Sequence, residues 1–544
     1  LNVTFMRNDR GARGGMRDVV VVGAGHNALV AACYLARDGL DVEVVERDSV
    51  LGGAVSTVQR FPGYRVDRGS SLHVLIRHTG IAEELRLHEC GLTYLDVDPW
   101  AYAPATQHEP ALTFSTDLDR TCACIAAACG QRDADAYRRF VTDWTDPAQR
   151  ILAAFQDPPS PLRVARRMAG LARGQSGAET TRRFLQPADH LLDTYFGSER
   201  LKAALAWIAA QSGRPPHEPA TAGHLSWIPL LHLLPPGRPV GGSGMLAEAL
   251  AERLRRYGGR VRLGDGAVRI TRGSARVDGV VTASGEHIRA RAVLAGCHVL
   301  TTFELLGEPA PVAHARARIR VGDGIGMAVR LGTTALPAYP AANPEAYHGM
   351  QLLVTDRRQL RTAYGDFLAG RVPAEPAVLA MTFSALDPTL APAGRHGVSL
   401  WSQWHRYDLT GGASWDAVRD QAAQLVIDQV DRFAPGFAGT IEHTHVQTPL
   451  DLERELGLRR GNVMHVEMGL DAMFALRPLP GLASYRGPVE GLYLTGASTH
   501  PGGGVFGASG RSAARALLAD RSSRLPRRSA ATVWMWRRPR NQRR

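Results

Sequence analysis

Val19-Val20-Val21-Val22-Gly23-Ala24-Gly25-His26-Asn27-Ala28 decides the fold of this 544-residue chain. Four valines in a row read as a short strand buried on both faces of a parallel sheet. The G-x-G-x-x-A turn after it opens a helical pattern from Ala28 to Asp38, which Gly39 ends as a C-terminal cap. Asp41–Glu46 alternates as a second strand, so the chain opens with a β-α-β unit. In such a turn Gly23 permits the tight reversal and Gly25 lets the backbone approach a pyrophosphate. Ala28 keeps the helix close to the strand, and the helix N-terminus, with Ala24 and Asn27 in the turn, offers oriented N–H groups to the phosphates. Glu46, ending the second strand, is placed to accept hydrogen bonds from a ribose 2′-OH and would repel a 2′-phosphate.

The flanking sequence selects the dinucleotide. After Glu46, Arg47 can screen phosphate charge, and Gly52-Gly53-Ala54 lets the backbone wrap a cofactor larger than a nicotinamide dinucleotide. Near the far end a strand, Gly491–Thr495, runs into Gly496-Ala497-Ser498-Thr499-His500-Pro501-Gly502-Gly503-Gly504-Val505, and a helix follows from about Phe506 to Leu518. In this second loop Gly496, Ala497, Gly503, Gly504 and Val505 are the expected cofactor contacts. A helix N-terminus aimed at a flavin's N1–C2=O edge would stabilise the anionic reduced ring. Two glycine-rich loops around one sheet favour FAD over NAD.

VVVVGAGHNALVAACYLARDGLDVEVVERDSVLGGAVST (19–57) and GLYLTGASTHPGGGVFGASGRSAARALL (491–518) resemble the phytoene desaturase-related FAD-dependent oxidoreductases, within the wider amine oxidase-like flavoprotein group. Weaker similarity continues at GYRVDRGSSLHVLI, VGGSGMLAEALAERL, SALDPTLAP and GNVMHVEMGLDAMFALRP, so it spans most of residues 17–520. The resemblance implies an α/β fold: a glutathione-reductase-like FAD-binding Rossmann domain with an inserted mixed α+β substrate domain and a helical cap. It also implies that Val268 contacts adenine through its backbone.

The expected organisation is a disordered leader at 1–15, then FAD-binding segments at 17–125, 236–300 and 456–520. A mainly helical cap would occupy 126–235, a substrate-domain sheet 301–455, and a basic disordered tail 521–544. Within the cap, helices are expected at Asp133–Phe140, Ile151–Phe155, Arg182–Tyr195 and Leu201–Gln211. Leu225-Ser226-Trp227-Ile228-Pro229-Leu230-Leu231-His232-Leu233-Leu234 is the most lipophilic run, and reads as core or as a greasy substrate entrance. The net charge of +12 is not a nucleic-acid signature, because nine arginines and no acid lie between Arg521 and Arg544. Peripheral contact with an anionic membrane, helped by Trp534 and Trp536, is the alternative use of that tail.

No apolar stretch reaches the roughly 20 residues of a membrane span. The leader lacks a secretory apolar core, and the six cysteines are scattered, which together suggest a cytoplasmic protein. Cys122, Cys124 and Cys129 have no histidine cluster beside them, so no metal site is expected, and without Cys-x-x-Cys there is no disulfide-reductase motif. Gly242-Ser243-Gly244-Met245-Leu246-Ala247 repeats the G-x-G-x-x-A pattern after a proline-rich loop rather than a strand, and reads as a packing turn. Any NAD(P)H would therefore be a transient electron donor.

A flavin takes hydride at N5 with the protein supplying orientation, so an acid or base need not exist. His500, inside the second loop, is the first catalytic candidate; Arg477, a cofactor or loop anchor, and His73, downstream of Asp67-Arg68-Gly69, are the others. His232 and Tyr407 could line the substrate cavity, with core packing favoured for each. The expected activity is hydride transfer between non-covalently bound FAD and a lipophilic polyene. It would be desaturation, or reductive cyclisation in bacterial secondary metabolism as in polycyclic tetramate macrolactam pathways. A flavin amine or amino-acid oxidase and a non-catalytic flavin-bound scaffold are the alternatives.

Overall fold

The computed structural model describes residues 15–168, 174–307 and 310–522. The expectations for the leader before Gly15 and for the arginine-rich segment beyond Ser522 lie outside the described residues. Two seven-stranded sheets form the frame. In the first, strand Arg17–Val22 lies between Val42–Val45 and the C-terminal half of His287–Ala295, all parallel. Arg260–Arg262 extends this sheet beyond Val42–Val45, and Leu492–Leu494 adds a parallel strand on the far side of His287–Ala295, pairing Val293 with Leu492 and Ala295 with Leu494. The N-terminal half of His287–Ala295 instead continues an antiparallel meander through Ala267–Arg272 and Val277–Thr282. Val19 to Val21 are fully buried, as a run without polar alternation requires.

Helices seal one face of this sheet. His26–Arg37 follows the first strand, and Ala508–Ser522, the last helix, packs on it so tightly that a Cβ on Gly510 would overlap the Asn27 carbonyl. Met245–Arg256 packs on the other flank, with Leu246, Leu250 and Leu254 buried in the same cluster as Leu29 and Leu35. Both ends of the sequence therefore meet on one side of one sheet.

The second sheet runs in the order Ile441–Gln447, Gly326–Thr333, His396–Gln403, Ala377–Met381, Met350–Leu353, Ala101–Ala103, Leu112–Phe114. The last two strands correct the expected first FAD-binding segment, 17–125, since they belong to the other sheet. One face of this sheet is covered by helix Trp415–Phe433, where Val426 and Val430 pack on Val329 and Leu400. The helical cap covers part of the other face.

In the cap, the two segments expected at Asp133–Phe140 and Ile151–Phe155 are one helix, Gln131–Gln156. Pro147 stands inside it and removes one backbone donor, but Phe140, Trp144, Ile151 and Phe155 on the buried stripe hold the helix together. Conversely, the expected helix Arg182–Tyr195 breaks at Pro187 into Gly174–Leu185 and Ala188–Tyr195. No described helix is long and apolar enough to cross a membrane.

Candidate functional site

A cavity of about 980 Å³ runs from the C-terminal ends of the parallel strands to the space between the second sheet and the helical cap. Of the residues expected to contact a cofactor, Gly23, Gly25, Asn27, Ala28, Glu46, Arg47, Gly52, Gly53 and Ala54 line it from the first part of the chain. Gly496, Ala497, Gly503, Gly504 and Val505 line it from the last.

The fit to a dinucleotide can be judged on backbone and carboxylate geometry. Gly23 sits at φ +93°, where a side chain is strained, and its N–H donates to Val45 O at 2.8 Å. Gly25 has an ordinary φ of −64°, and a Cβ built on it meets nothing within 4 Å. Its missing side chain thus leaves open space over the start of helix His26–Arg37, which has no side-chain cap and no acid in its first turn. Those N–H groups are positioned for an anion. Gly52 N–H donates to Ala24 O at 3.0 Å, tying the glycine pair to the first turn. The Glu46 carboxylate accepts from Ala24 N at 2.6 Å and Asp48 N at 2.9 Å, which fixes its orientation at the cavity wall while lone pairs remain for a ribose.

The second loop is set by hydroxyls. Ser509 Oγ bridges Thr495 Oγ1 at 2.9 Å and Thr499 Oγ1 at 2.7 Å, and accepts from Gly496 N at 3.1 Å. Gly496, at φ +95°, would bring a Cβ within 3.0 Å of Gly296 O, so only glycine lets this strand end approach its neighbour. These residues fit FAD.

Two expected contacts do not reach the cavity. Val268 is 56% exposed and lies off the lining, whereas Gly266 and Ala267 just before it are part of it. A Cβ on Gly266 would stand 2.6 Å from the Arg47 Cβ, so the close approach there is made by the glycine. Ala24 turns its N–H to Glu46 instead of to the cavity.

None of the three catalytic candidates lines the cavity. His500 is buried behind Phe155 and Phe474, its Nε2 held 3.1 Å from Ala154 O, and burial pushes its pKa down to about 4. His73 bridges Tyr94 Oη at 2.8 Å and Ser243 Oγ at 2.7 Å, where burial lowers it to about 3. Arg477 is completely buried and donates only to carbonyls, those of Met464, Val466, Glu467, Ala472, Ala497 and Thr499. It is a loop anchor: it fastens residues 464–472 to the second glycine-rich loop. His232 binds Tyr137 and Thr116 O in the cap core, and Tyr407 lies away from the cavity. Gly244 N–H donates to Thr57 Oγ1 at 2.8 Å, so the second G-x-G-x-x-A is a packing turn.

Two other histidines, His298 and His465, face the cavity. His298 Nε2 donates to His465 O at 2.9 Å, the two rings stack at 5.2 Å, and His465 Nδ1 lies 3.2 Å from Ser498 Oγ. Their only sequence signal is position: His298 follows the end of a parallel strand, where open α/β sheets bind ligands. Burial holds His26 and His298 down at about 4 and His465 well below its ordinary value.

Acid stability follows from these buried rings. An unfolded histidine protonates near 6.5, but His26, His73, His298 and His500 stay neutral in the folded protein until about 3 to 4. Below about pH 6.5 the unfolded chain therefore binds protons that the native state refuses. Each ring then costs about 1.4 kcal/mol of stability per pH unit. Denaturant titrations should show stability falling steeply as pH drops from about 7 towards 5, and His73→Gln should remove about one proton from the slope. A flat profile over that range would contradict it.

Between the cap and the second sheet the lining is mostly apolar. The cap contributes Ile151, Phe155, Phe184, Ile208, Trp227 and Leu231, and the second sheet contributes Met350, Leu379, Met381 and Trp401. The lipophilic run around Trp227 thus serves both expectations, since Leu225, Ile228 and Leu230 are core while Trp227 and Leu231 face the cavity.

Residues 21–84 match the model of the NAD(P)-binding Rossmann-like domain family. The chain is 33% identical to pyridine nucleotide-disulfide oxidoreductase domain-containing protein 2 of Rattus norvegicus, over 95% of this chain and 96% of the relative. It is 28% identical to the hydroxyneurosporene desaturase of Cereibacter sphaeroides, over 93% and 98% of the two chains. Cyclohexylamine oxidase from Brevibacterium oxydans shares the fold, with a TM-score of 0.55 at 17% identity over 94% of this chain and 100% of the other.

Proposed function

We infer the function from one premise: the chain belongs to the phytoene desaturase-related family of FAD-dependent oxidoreductases, together with pyridine nucleotide-disulfide oxidoreductase domain-containing protein 2. The reaction is a hydride transfer that alters the unsaturation of a lipophilic, polyene-type substrate. The observation that carries this is the apolar chamber, walled by Phe155, Phe184, Trp227, Leu379 and Trp401, that opens directly from the glycine-rich loops.

FAD, held non-covalently, supplies a ring nitrogen, N5, that accepts or gives hydride. The protein's residues do the rest. The N-terminus of His26–Arg37 and Gly25 would hold the pyrophosphate, Glu46 the ribose, and the 496–505 loop the ring edge. The aromatic and aliphatic walls orient a hydrocarbon chain and exclude water. Leu185 and Leu470, 54% and 50% exposed at the cavity rim, give a lipophilic molecule a route in from a membrane surface. In the reductive direction, that of cyclisation, NAD(P)H would be the transient electron donor.

The test is anaerobic. Mixing the FAD-loaded protein with a conjugated polyene should bleach the flavin's visible band, or reoxidise the NAD(P)H-reduced flavin, in step with a change in the polyene's spectrum. Flavin reduction by amines with peroxide release in air, and no response to polyenes, would instead assign an amine oxidase. Reduction by neither would leave a flavin-bound scaffold.

A further inference from the structure

We propose that the substrate of this cavity carries a carboxylate head group and that Arg330 is the residue that binds it; this rests on the polyene assignment and narrows its substrate class. Arg330 lies in strand Gly326–Thr333 of the second sheet, in register with Ser399 on one neighbour and His445 on the other. It is 3% exposed and lines the cavity. Its guanidinium makes one long contact, from Nη2 to Gly69 O at 3.4 Å, while Nε and Nη1 have no partner. A buried cation left this way is expensive unless something arrives to pair with it.

The surrounding charges cannot supply that partner. Asp67 is committed to Arg238, and also accepts from Thr57 Oγ1 at 2.7 Å and Ser243 N at 2.9 Å. Glu455 is held by Arg60 and accepts from Gln447 Nε2 at 3.1 Å, with His445 Nε2 3.5 Å away. The group thus sets three arginines, Arg60, Arg238 and Arg330, against two carboxylates, Asp67 and Glu455. One positive charge is left over: Glu455 also lines the cavity but is paired with Arg60, so the unpaired charge there is Arg330. Burial, more than Asp67 offsets it, holds Arg330 down to about 10, so it stays a cation at neutral pH.

The ligand's chemistry follows from what flanks this charge. On the same face of the sheet the strands continue as Met381, Met350, Leu379 and Trp401, which line the cavity as an apolar strip. A molecule satisfying both parts has one anionic end and a long hydrocarbon body. The planar guanidinium, with donors to spare, suits a carboxylate better than a lysine would.

The experiment uses the FAD-loaded protein and a fluorescent probe pair, a conjugated tetraene fatty acid and its methyl ester. The acid should bind about 10- to 100-fold more tightly than the ester. Arg330→Gln should erase that preference and Arg330→Lys retain part of it, with bound FAD and its visible spectrum unchanged in both. Equal binding of acid and ester by the unaltered protein overturns the proposal, and needs no variant to fold. So does an Arg330→Gln protein that keeps the preference while its flavin spectrum or FAD content changes, because the arginine then serves the cofactor. Acid preference without polyene turnover would sink the polyene assignment alone. Turnover of neutral polyenes without acid preference would sink this proposal alone.

Discussion

Gly25→Val gives a protein that folds but purifies colourless, with its affinity for FAD lowered at least about 100-fold, equivalent to roughly 2.7 kcal/mol of lost binding. The separation of folding from binding comes from the surroundings of this one residue. Gly25 has a φ that any amino acid adopts, and nothing beyond its immediate chain neighbours lies within 4 Å of where its Cβ would be. A valine therefore strains nothing in the empty protein, but it fills the space through which a pyrophosphate reaches the first N–H groups of the helix. Gly52 is the control. It has a φ of +100°, and a Cβ there would collide with the Val55 carbonyl, so Gly52→Ala should damage the fold itself. Circular dichroism of the two apoproteins, set beside flavin absorbance after reconstitution, distinguishes the cases. A yellow Gly25→Val protein would mean that the cofactor's phosphates lie elsewhere.

The second large effect is on stability. Arg477→Met should cost about 4 kcal/mol or more and release FAD as the second glycine-rich loop loosens. The guanidinium is fully buried without a carboxylate, and burial pulls it down to about 9. It persists because six backbone carbonyls converge on it, from residues 464–472 and from Ala497 and Thr499. Methionine keeps much of the volume and removes the side-chain donors from all six, leaving Met464 O with the Val466 N–H alone. Arg477→Lys should recover only part of the loss, since one ammonium cannot reach all six. Urea unfolding read against FAD content measures it, and a change below about 1 kcal/mol would show that the loops hold without the anchor.

The ends of the chain were legible because their demands are local. Gly23, Gly52 and Gly496 stand where a turn or close approach excludes other residues, Gly25 keeps the space over the helix start open, and the valine run and Glu46 follow from strand geometry. The strands Ala101–Ala103 and Leu112–Phe114 are three residues each, too short for alternation to register, so their place in the second sheet was hidden. The expected segments stopped short of Pro147 and ran through Pro187, yet only Pro187 breaks a helix, because the packing around Pro147 outweighs one lost hydrogen bond. Val268 was placed by resemblance, but its strand turns it outward two residues past the close approach at Gly266. His500, His73 and Arg477 drew attention as titratable groups in suggestive places. Burial instead ties His73 and Arg477 to partners within the protein and holds His500 Nε2 on Ala154 O, all three off the cavity lining. Arg330 drew none, since an arginine inside a strand ordinarily marks an exposed face, and only the tertiary structure shows it turned into a cavity.

A crystal structure of the yellow protein tests most directly whether the two termini clasp one cofactor. The expected density is a single FAD with its pyrophosphate over Gly25 and the start of helix His26–Arg37. Its ribose should lie on Glu46, and its isoalloxazine between the Gly52–Ala54 turn and residues 496–505. A nicotinamide in the ring's place, or a flavin whose ring touches neither Gly53 nor Gly503–Val505, would contradict it.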